Sequence, residues 1–258
     1  MYLVEKVSKM ISLYPNYNTK ENIMQENKNE NKNKNESIKE MGSIEVKSSK
    51  GKIYCLSIVG QIEGHTALSS ESKTTKYEHV IPKLIEVEQD DEISGMLVVL
   101  NTLGGDVEAG LAISEMIASM KKPTVSIVLG GGHSIGVPLA VSAKKSFIVP
   151  SATMTIHPIR TNGTVIGVSQ MFDYLNKIQE QIIGFVERNS GIKADDFRKI
   201  MLETEDIAND VGTVLFGKEA VECGLIDGLG GISEAMDALN QMMEKNNEYN
   251  KIKQSNVK

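Results

Sequence analysis

The sequence has few cysteines, no Trp and no apolar stretch suited to a membrane. Its two cysteines, Cys55 and Cys223, are too few for a disulfide framework, which favours a reducing, cytoplasmic setting. The longest stretch without a charged side chain, residues 123–143, is interrupted by Gly, Pro and His residues that a membrane-spanning helix disfavours. The first nine residues lack the apolar core of a signal peptide. We therefore expect a cytoplasmic protein without stable membrane insertion.

Basic side chains are scarce relative to acidic ones. The chain has 28 Lys and Arg residues against 34 Asp and Glu residues, a formal net charge of −6. No basic patch stands out that could neutralise phosphates, so nucleic acid is not an expected partner. Cys and His residues do not occur at the spacings of metal ligands. We expect neither a metal nor a cofactor.

The first 50 residues differ in composition from the rest of the 258-residue chain. They carry nine Lys and seven Glu, a local charge of +2, so the remainder carries −8. Between residues 18 and 40 only three side chains are apolar, too few to offset the entropy of ordering this segment. We predict a disordered polar tail at 1–50, one folded domain at 51–245 and a polar C-terminal end at 246–258.

From residue 53 onward, apolar strands alternate with helical segments. Two predicted strands, 95–100 and 124–129, each continue through a glycine-rich loop into a predicted helix. Strands buried on both faces that alternate with helices are typical of an α/β protein with a parallel sheet. A long helix predicted at 168–189 carries apolar residues three or four positions apart, as expected for an arm that packs on another element or another subunit.

The pentapeptide at 132–136, Gly-His-Ser-Ile-Gly, fits the nucleophile-elbow pattern G-x-S-x-G. In this pattern small residues flank a Ser on a sharp turn between a strand and a helix, so that the hydroxyl of Ser134 would be exposed. The next backbone N–H would then lie at a helix N-terminus. A pentapeptide is a weak signal by itself. The alternative is a tight turn in which the Ser caps the following helix.

A nucleophilic Ser needs a base, and the chain has four His residues. His133 adjoins Ser134, but neighbouring side chains on a turn usually point apart, so His133 is a poor candidate. His157 follows a predicted strand at 153–156, where its side chain could face the same cleft as Ser134. The alternative for His157 is a structural role with a hydrogen-bond partner. No Asp or Glu lies between residues 135 and 156, which excludes the Ser-acid-His order of the α/β-hydrolases.

Gly104 and Gly105 follow the first buried strand and precede a predicted helix. Their N–H groups could point at an anionic oxygen, as an oxyanion hole requires. Phosphate binding is the rival interpretation of this loop. It is the weaker one, because neither glycine-rich loop continues into G-K-[ST] or fits G-x-G-x-x-G with a suitable acid after it.

Four segments, in this order, resemble the proteolytic subunit of the Clp protease (ClpP, peptidase family S14). They are NTLGGDVEAG at 101–110, HSIG at 133–136, MTIHP at 154–158 and EAVECGLID at 219–227. Within the family, the resemblance is strongest to the translocation-enhancing branch, TepA, which shares IEGH at 62–65, TTKYEHVIP at 74–82 and GGGHSIGVP at 130–138. Four ordered motifs are more specific than any one of them alone. The resemblance covers about residues 53–239.

The resemblance implies a Ser-His-Asp triad. By motif, Ser134 is the nucleophile and His157 is the general base that takes its proton. Asp210 is the nearest match to the triad acid, although two extra residues are needed downstream of it. Asp206 or Glu205 could substitute for it, or the acid could be absent.

The resemblance also implies the remaining parts of the site and the assembly. The N–H of Ile135 and the N–H of Gly104 or Gly105 would stabilise the oxyanion. The fold would be that of ClpP and the crotonases, a spiral of ββα units, with the 168–189 helix as a protruding handle. ClpP-like chains form rings, so a ring-forming homo-oligomer joined through these handles is expected.

The chain departs from the ClpP pattern around the substrate groove. Thr102 and Leu103 replace Ser-Pro before the glycine pair, Pro158 replaces Gln after the base, and His133 replaces a small residue beside the nucleophile. Peptide specificity therefore does not transfer with the fold. The tail at 1–50 does not match the pore loops of ClpP, which argues against pairing with a Clp-type ATPase.

The expected function is that of a serine endopeptidase that cleaves peptides or unfolded protein segments and, as a TepA-type member, supports export of secreted precursor proteins. One alternative is a catalytically weak or inactive oligomeric scaffold that binds preproteins. Another is a crotonase-type acyl-CoA enzyme, which would share the fold and the oxyanion loops. The acyl-CoA enzyme is disfavoured because it would not need Ser134 and His157, and because no basic cluster for a CoA phosphate is evident.

Overall fold

The computed structural model describes residues 42–161, 166–204 and 211–255. The chain divides into two compact units, Met1–Ile44 and Glu45–Lys258. Of the first unit only residues 42–44 are described, so most of the predicted tail lies outside the described residues. Asp210 and its predicted substitutes, Asp206 and Glu205, also lie outside them. The fold described below is that of the second unit.

A mostly parallel β-sheet forms the centre of this unit. Its strands in the described residues are β1 (Ile44–Ser48), β2 (Gly51–Glu63), β3 (Thr74–Lys76), β4 (Ile93–Gly105), β5 (Thr124–Gly132), β6 (Lys145–Ile148), β7 (Thr153–Ile156), β8 (Thr213–Phe216) and β9 (Gly228–Leu229). The main path follows the order β1-β2-β4-β5-β6-β9, with β3 beside β2 and β7 beside β5. The pairs from β2 to β9 along this path are parallel, whereas β7 and β8 pair antiparallel. The predicted α/β class with a parallel sheet is confirmed.

Helices connect the parallel strands and cover the sheet. In the described part of the chain they are α1 (Tyr77–Gln89), α2 (Val107–Ser119), α3 (Gly136–Val141), α4 (Val168–Asn189), α5 (Ala194–Met201), α6 (Gly217–Glu222) and α7 (Ile232–Ser255). The long helix predicted from the sequence is α4. Among the described helices, none combines the length and the apolarity needed to cross a membrane.

Both faces of the sheet are buried, because its central strands carry apolar side chains at successive positions. On one face Leu56 of β2 belongs to a cluster that includes Leu84 of α1 and Ile113 of α2. On the other face Ile53 of β2 packs in a cluster with Leu239 of α7. Burial of one such aliphatic side chain contributes about 1.5–3 kcal/mol. The first cluster also includes Ile135 and Ile156, the sequence neighbours of Ser134 and His157.

β1 and the end of α7 extend the ordered structure beyond the segments that the sequence pattern predicts. β1 lies beside β2, and Ser48 stabilises the turn between them: its hydroxyl donates to the carbonyl of Gly51 at 3.0 Å and accepts from the N–H of Lys50 at 3.1 Å. α7 continues past residue 245 to Ser255. No Gly or Pro interrupts residues 246–255, so an established helix can propagate through this polar segment.

Candidate active site

Ser134 lies in the turn between β5 and α3 and has a strained backbone. Its φ angle is 56°, and it is the one non-Gly residue with a positive φ in the described part of the chain. Such a conformation persists only where the surroundings hold it. Here the N–H of Ser134 donates to the carbonyl of Thr155 at 2.8 Å, and the N–H of Gly136 donates to the carbonyl of His133 at 2.8 Å. This strained strand-turn-helix geometry is the one that the nucleophile-elbow pattern requires.

The side chain of Ser134 does not cap the following helix. The N-cap of α3 is Ile135, and no side chain makes a capping hydrogen bond there. The structure thus removes the alternative of a tight turn with a capping Ser. Ser134 instead lines a cavity of about 140 Å³.

His157 follows β7 directly and lines the same cavity as Ser134. Its Nδ1 atom lies 2.7 Å from the carbonyl oxygen of Pro158. A carbonyl oxygen can only accept a hydrogen bond, so a neutral His157 ring donates from Nδ1 and keeps the lone pair on Nε2. A general base for a Ser hydroxyl needs this tautomer.

Described residues that follow the predicted acid in the sequence pack beside His157 and the strand before it. β8 pairs antiparallel with β7, and Ile156 is opposite Thr213 in the register. A Cβ atom built on Gly212 would lie 2.8 Å from the Cβ atom of His157. Gly212, two positions after Asp210 in the sequence, therefore packs directly against His157. None of the described residues that line the cavity is an Asp or a Glu.

The glycine pair ends β4 next to the Ser134 turn. A Cβ atom on Gly104 would lie 2.7 Å from the Cβ atom of Ser134, so a larger residue would collide with the nucleophile. The N–H of Gly104 donates to the hydroxyl of Thr102 at 3.0 Å. Gly105, in contrast, lines the cavity together with Ser134 and Ile135. Of the two glycines, Gly105 is thus the one placed at the cavity.

Apolar side chains from several elements also line the cavity and form its apolar wall, which the sequence patterns did not indicate. Its apolar members include Val107, Pro158, Ile159, Ile182, Phe197 and Met201, which come from α2, the segment after β7, α4 and α5. The buried residues of α4, which are Ile182, Ile183, Phe185 and Val186, all lie in its C-terminal half, whereas its N-terminal half is largely exposed. One helix therefore supplies both a wall of the site and a protruding arm.

The described residues contain no group of three or more His, Cys, Asp and Glu side chains arranged to hold a metal ion. The polar groups that the described residues bring to the cavity are the hydroxyl of Ser134, the imidazole of His157, the guanidinium of Arg160 and backbone N–H groups. Such a set of groups can carry out acyl transfer through a Ser nucleophile and an imidazole base.

Comparison with known proteins decides the family. A model of the Clp protease family matches residues 49–232, well over half of the chain. The chain belongs to the Clp protease family. All the described cavity residues lie inside the matched segment. This match confirms the resemblance predicted from the four motifs.

Several relatives within this family are similar to the chain. The Translocation-enhancing protein TepA of Halalkalibacterium halodurans is 53% identical over 211 residues, which cover 81% of this chain and 82% of the relative. The ATP-dependent Clp protease proteolytic subunit of Leuconostoc citreum is 29% identical over 154 residues, covering 58% and 74%. The corresponding subunit of Streptococcus uberis is 29% identical over 153 residues, covering 58% and 76%.

Proposed function

We propose that the protein is a serine endopeptidase of the Clp protease family that acts through a Ser-His-Asp acyl-enzyme mechanism. One observation carries the proposal: Ser134 is held at a positive φ and shares a cavity with His157. Membership of the family supports protease activity in general terms. The assignment of individual residues rests on the geometry.

In the proposed reaction, His157 Nε2 takes the proton of the Ser134 hydroxyl as its oxygen attacks the peptide carbonyl carbon. The N–H groups of Gly105 and Ile135 stabilise the negative charge on the carbonyl oxygen. The tetrahedral intermediate then collapses, the protonated His157 donates its proton to the leaving amine, and an acyl-enzyme remains on Ser134. Water activated by His157 releases the acid and restores the hydroxyl.

Asp210 is the triad acid in the proposed mechanism. Asp210 is the preferred candidate because it lies two positions before Gly212, which packs on His157. Asp206 and Glu205 are further away along the chain. Loss of activity in Asp210→Asn, with full activity in Asp206→Asn and Glu205→Gln, would support the assignment.

The apolar wall indicates the side chain that the substrate places next to the scissile bond. The cavity of about 140 Å³ is lined mainly by aliphatic and aromatic carbon and by the charged side chain of Arg160. A cavity of about 150 Å³ holds a benzene-sized group. We therefore expect cleavage of peptides or unfolded segments after residues such as Leu, Met or Phe. Relative kcat/KM values for a peptide series that varies only this residue would measure the preference.

The exposed half of α4 supports an oligomer. Val168, Phe172 and Tyr174 are 76%, 65% and 50% exposed, an unusual density of large apolar groups on one helix. We propose that these handles join the rings of a homo-oligomer in the cytoplasm. Sedimentation velocity of the full chain would measure the assembly. The similarity to TepA suggests a role in export of precursor proteins.

Covalent labelling tests the proposal directly. A fluorophosphonate probe should react with the purified full chain, and mass spectrometry should map the adduct to Ser134, because phosphonylation needs an activated hydroxyl. Ser151→Ala removes an exposed Ser from the loop before β7 and should label as the native chain does. The proposal is wrong if the native chain does not react or if the adduct maps elsewhere.

A second candidate function is a catalytically weak scaffold that binds preproteins. The observation that favours it is the contact between His157 Nδ1 and Pro158, since the carbonyl takes the position at Nδ1 that a triad acid normally occupies. A neutral carbonyl stabilises the imidazolium less than a carboxylate does. The Ser134 variants described in the Discussion distinguish the two functions.

Gly105→Ala tests the oxyanion hole. Gly105 has φ 150°, and a Cβ atom there would lie 2.2 Å from the carbonyl oxygen of Ile62, so the backbone must move. Displacing one oxyanion donor should lower kcat by about 10²–10³-fold. Gly184→Ala is the matched control, because a Cβ atom on Gly184 in α4 would have no neighbour within 4 Å. Hydrolysis by folded Gly105→Ala within about twofold of the native rate would exclude this role.

A further inference from the structure

His133, the residue before Ser134, contacts two neighbouring strands, one through its backbone and one through its ring. Its backbone N–H donates to the carbonyl of Thr102 at 3.2 Å, which ties the Ser134 turn to the strand of the glycine pair. Its ring Nδ1 lies 3.1 Å from the backbone nitrogen of Thr155 and 2.9 Å from the hydroxyl of Thr155. Thr155 belongs to β7 and lies two positions before His157. One residue thus contacts both strands that flank the nucleophile.

The environment of the ring determines its protonation and orientation. A Cβ atom on Gly131 would lie 2.5 Å from His133 Nε2, so the ring packs directly on the backbone of Gly131. Burial lowers the pKa of His133, which keeps the ring neutral at neutral pH. The backbone N–H of Thr155 can only donate, so Nδ1 is the acceptor and the ring proton lies on Nε2.

Few backbone contacts hold β7 beside β5. The register between them contains one pair of residues, Gly131 and Thr153. Beyond that pair, the turn binds both backbone groups of Thr155. The carbonyl of Thr155 accepts from the N–H of Ser134 at 2.8 Å, and its N–H donates to His133 Nδ1. The imidazole therefore takes the place of a backbone acceptor where the ladder ends. A small side chain at position 133 could not reach Thr155.

We propose that His133 is a positioning residue that fixes the strand carrying His157 against the turn carrying Ser134. The inference rests on the proposed peptidase function, because it states that the contact of His133 with Thr155 sets the distance between the nucleophile Ser134 and the base His157. The ring itself takes no proton from Ser134 and does not line the cavity in the described residues. Catalysis depends steeply on such alignment, because small displacements of reacting groups lower the rate strongly.

Two variants of similar size separate the effect of losing the hydrogen-bond acceptor from the effect of losing the bulk of the ring. His133→Asn keeps an oxygen acceptor at the position of Nδ1, whereas His133→Leu places a methyl group there. We expect the rate constant of fluorophosphonate inactivation to fall about tenfold in His133→Leu, because the acceptor for the N–H and the hydroxyl of Thr155 is lost and the strand that carries His157 is no longer held in line with Ser134. His133→Asn should stay within about threefold of the native chain, and the dissociation constant of the probe should change little in either variant.

Hydrogen exchange gives a readout that does not depend on activity. The amide of Thr155 should exchange about tenfold faster in His133→Leu than in the native chain, and His133→Asn should restore its protection. If the native chain does not react with the probe, the peptidase proposal fails, while the exchange data still test the contact to Thr155. The role of His133 would be overturned if His133→Leu kept the inactivation rate and the exchange rate of the native chain. It would also be overturned if His133→Asn were as impaired as His133→Leu.

Discussion

Ser134→Ala should reduce peptide hydrolysis by about 10⁴–10⁶-fold, because removal of the nucleophile leaves only binding and the oxyanion donors. The assay is hydrolysis of a fluorogenic peptide with Leu before the scissile bond. The positive φ of Ser134 allows a sharper comparison than Ala alone. Gly adopts this conformation without strain, so Ser134→Gly should be as inactive as Ser134→Ala and should unfold at an equal or higher temperature. Inactivity without destabilisation would assign the loss to the hydroxyl.

The same variants decide between the peptidase and the scaffold. A peptidase that supports export should lose that support in a Ser134→Gly strain, because the fold and the assembly stay intact while the chemistry is removed. A scaffold should support export equally well with either residue. Measuring secretion of a precursor in the native and variant strains, at matched protein levels, separates these outcomes. Residual hydrolysis above one part in about 10³ in both variants would place the nucleophile elsewhere.

Much of the site could be predicted because its residues lie in short, ordered motifs. The sequence predicts an apolar strand, a glycine-rich turn and a helix twice, and the structure has β4 with α2 and β5 with α3. The carboxyl ends of neighbouring parallel strands lie at one edge of a sheet, which explains why the glycine pair and Ser134 meet. His157 is predicted to share a cleft with Ser134 because it directly follows the strand that is β7 in the structure. Both residues line one cavity.

The choice between the two glycines could not be made from the sequence. It depends on a side chain, since the hydroxyl of Thr102 accepts from the N–H of Gly104 and itself donates to the carbonyl of Gly60 at 2.6 Å. No pattern within the motif encodes where Gly60 lies, because it belongs to β2, more than 40 positions earlier. The contact is a product of tertiary packing.

The apolar wall was missed for a related reason. Ile182 and Phe197 have the helical spacing of ordinary core residues, and nothing in that spacing indicates that part of their surface faces a cavity. The apolar spacing of α4 predicts an arm that packs on another element or another subunit, and it does not show which part of the helix does which. Its division into a buried half and an exposed half depends on where the helix crosses α5 and α3, which periodicity alone does not define.

His157→Gln is expected to lower hydrolysis by about 10⁴–10⁶-fold, close to the effect of removing Ser134, because an amide cannot take a proton from the hydroxyl. His79→Gln, on the exposed face of α1, is the matched control and should leave the rate unchanged. The decisive measurement is the double variant. Because nucleophile and base act in one proton transfer, Ser134→Ala combined with His157→Gln should be no slower than either single variant. Multiplicative losses would mean that His157 contributes through packing on Gly212 and contact with Pro158, independently of the Ser134 hydroxyl.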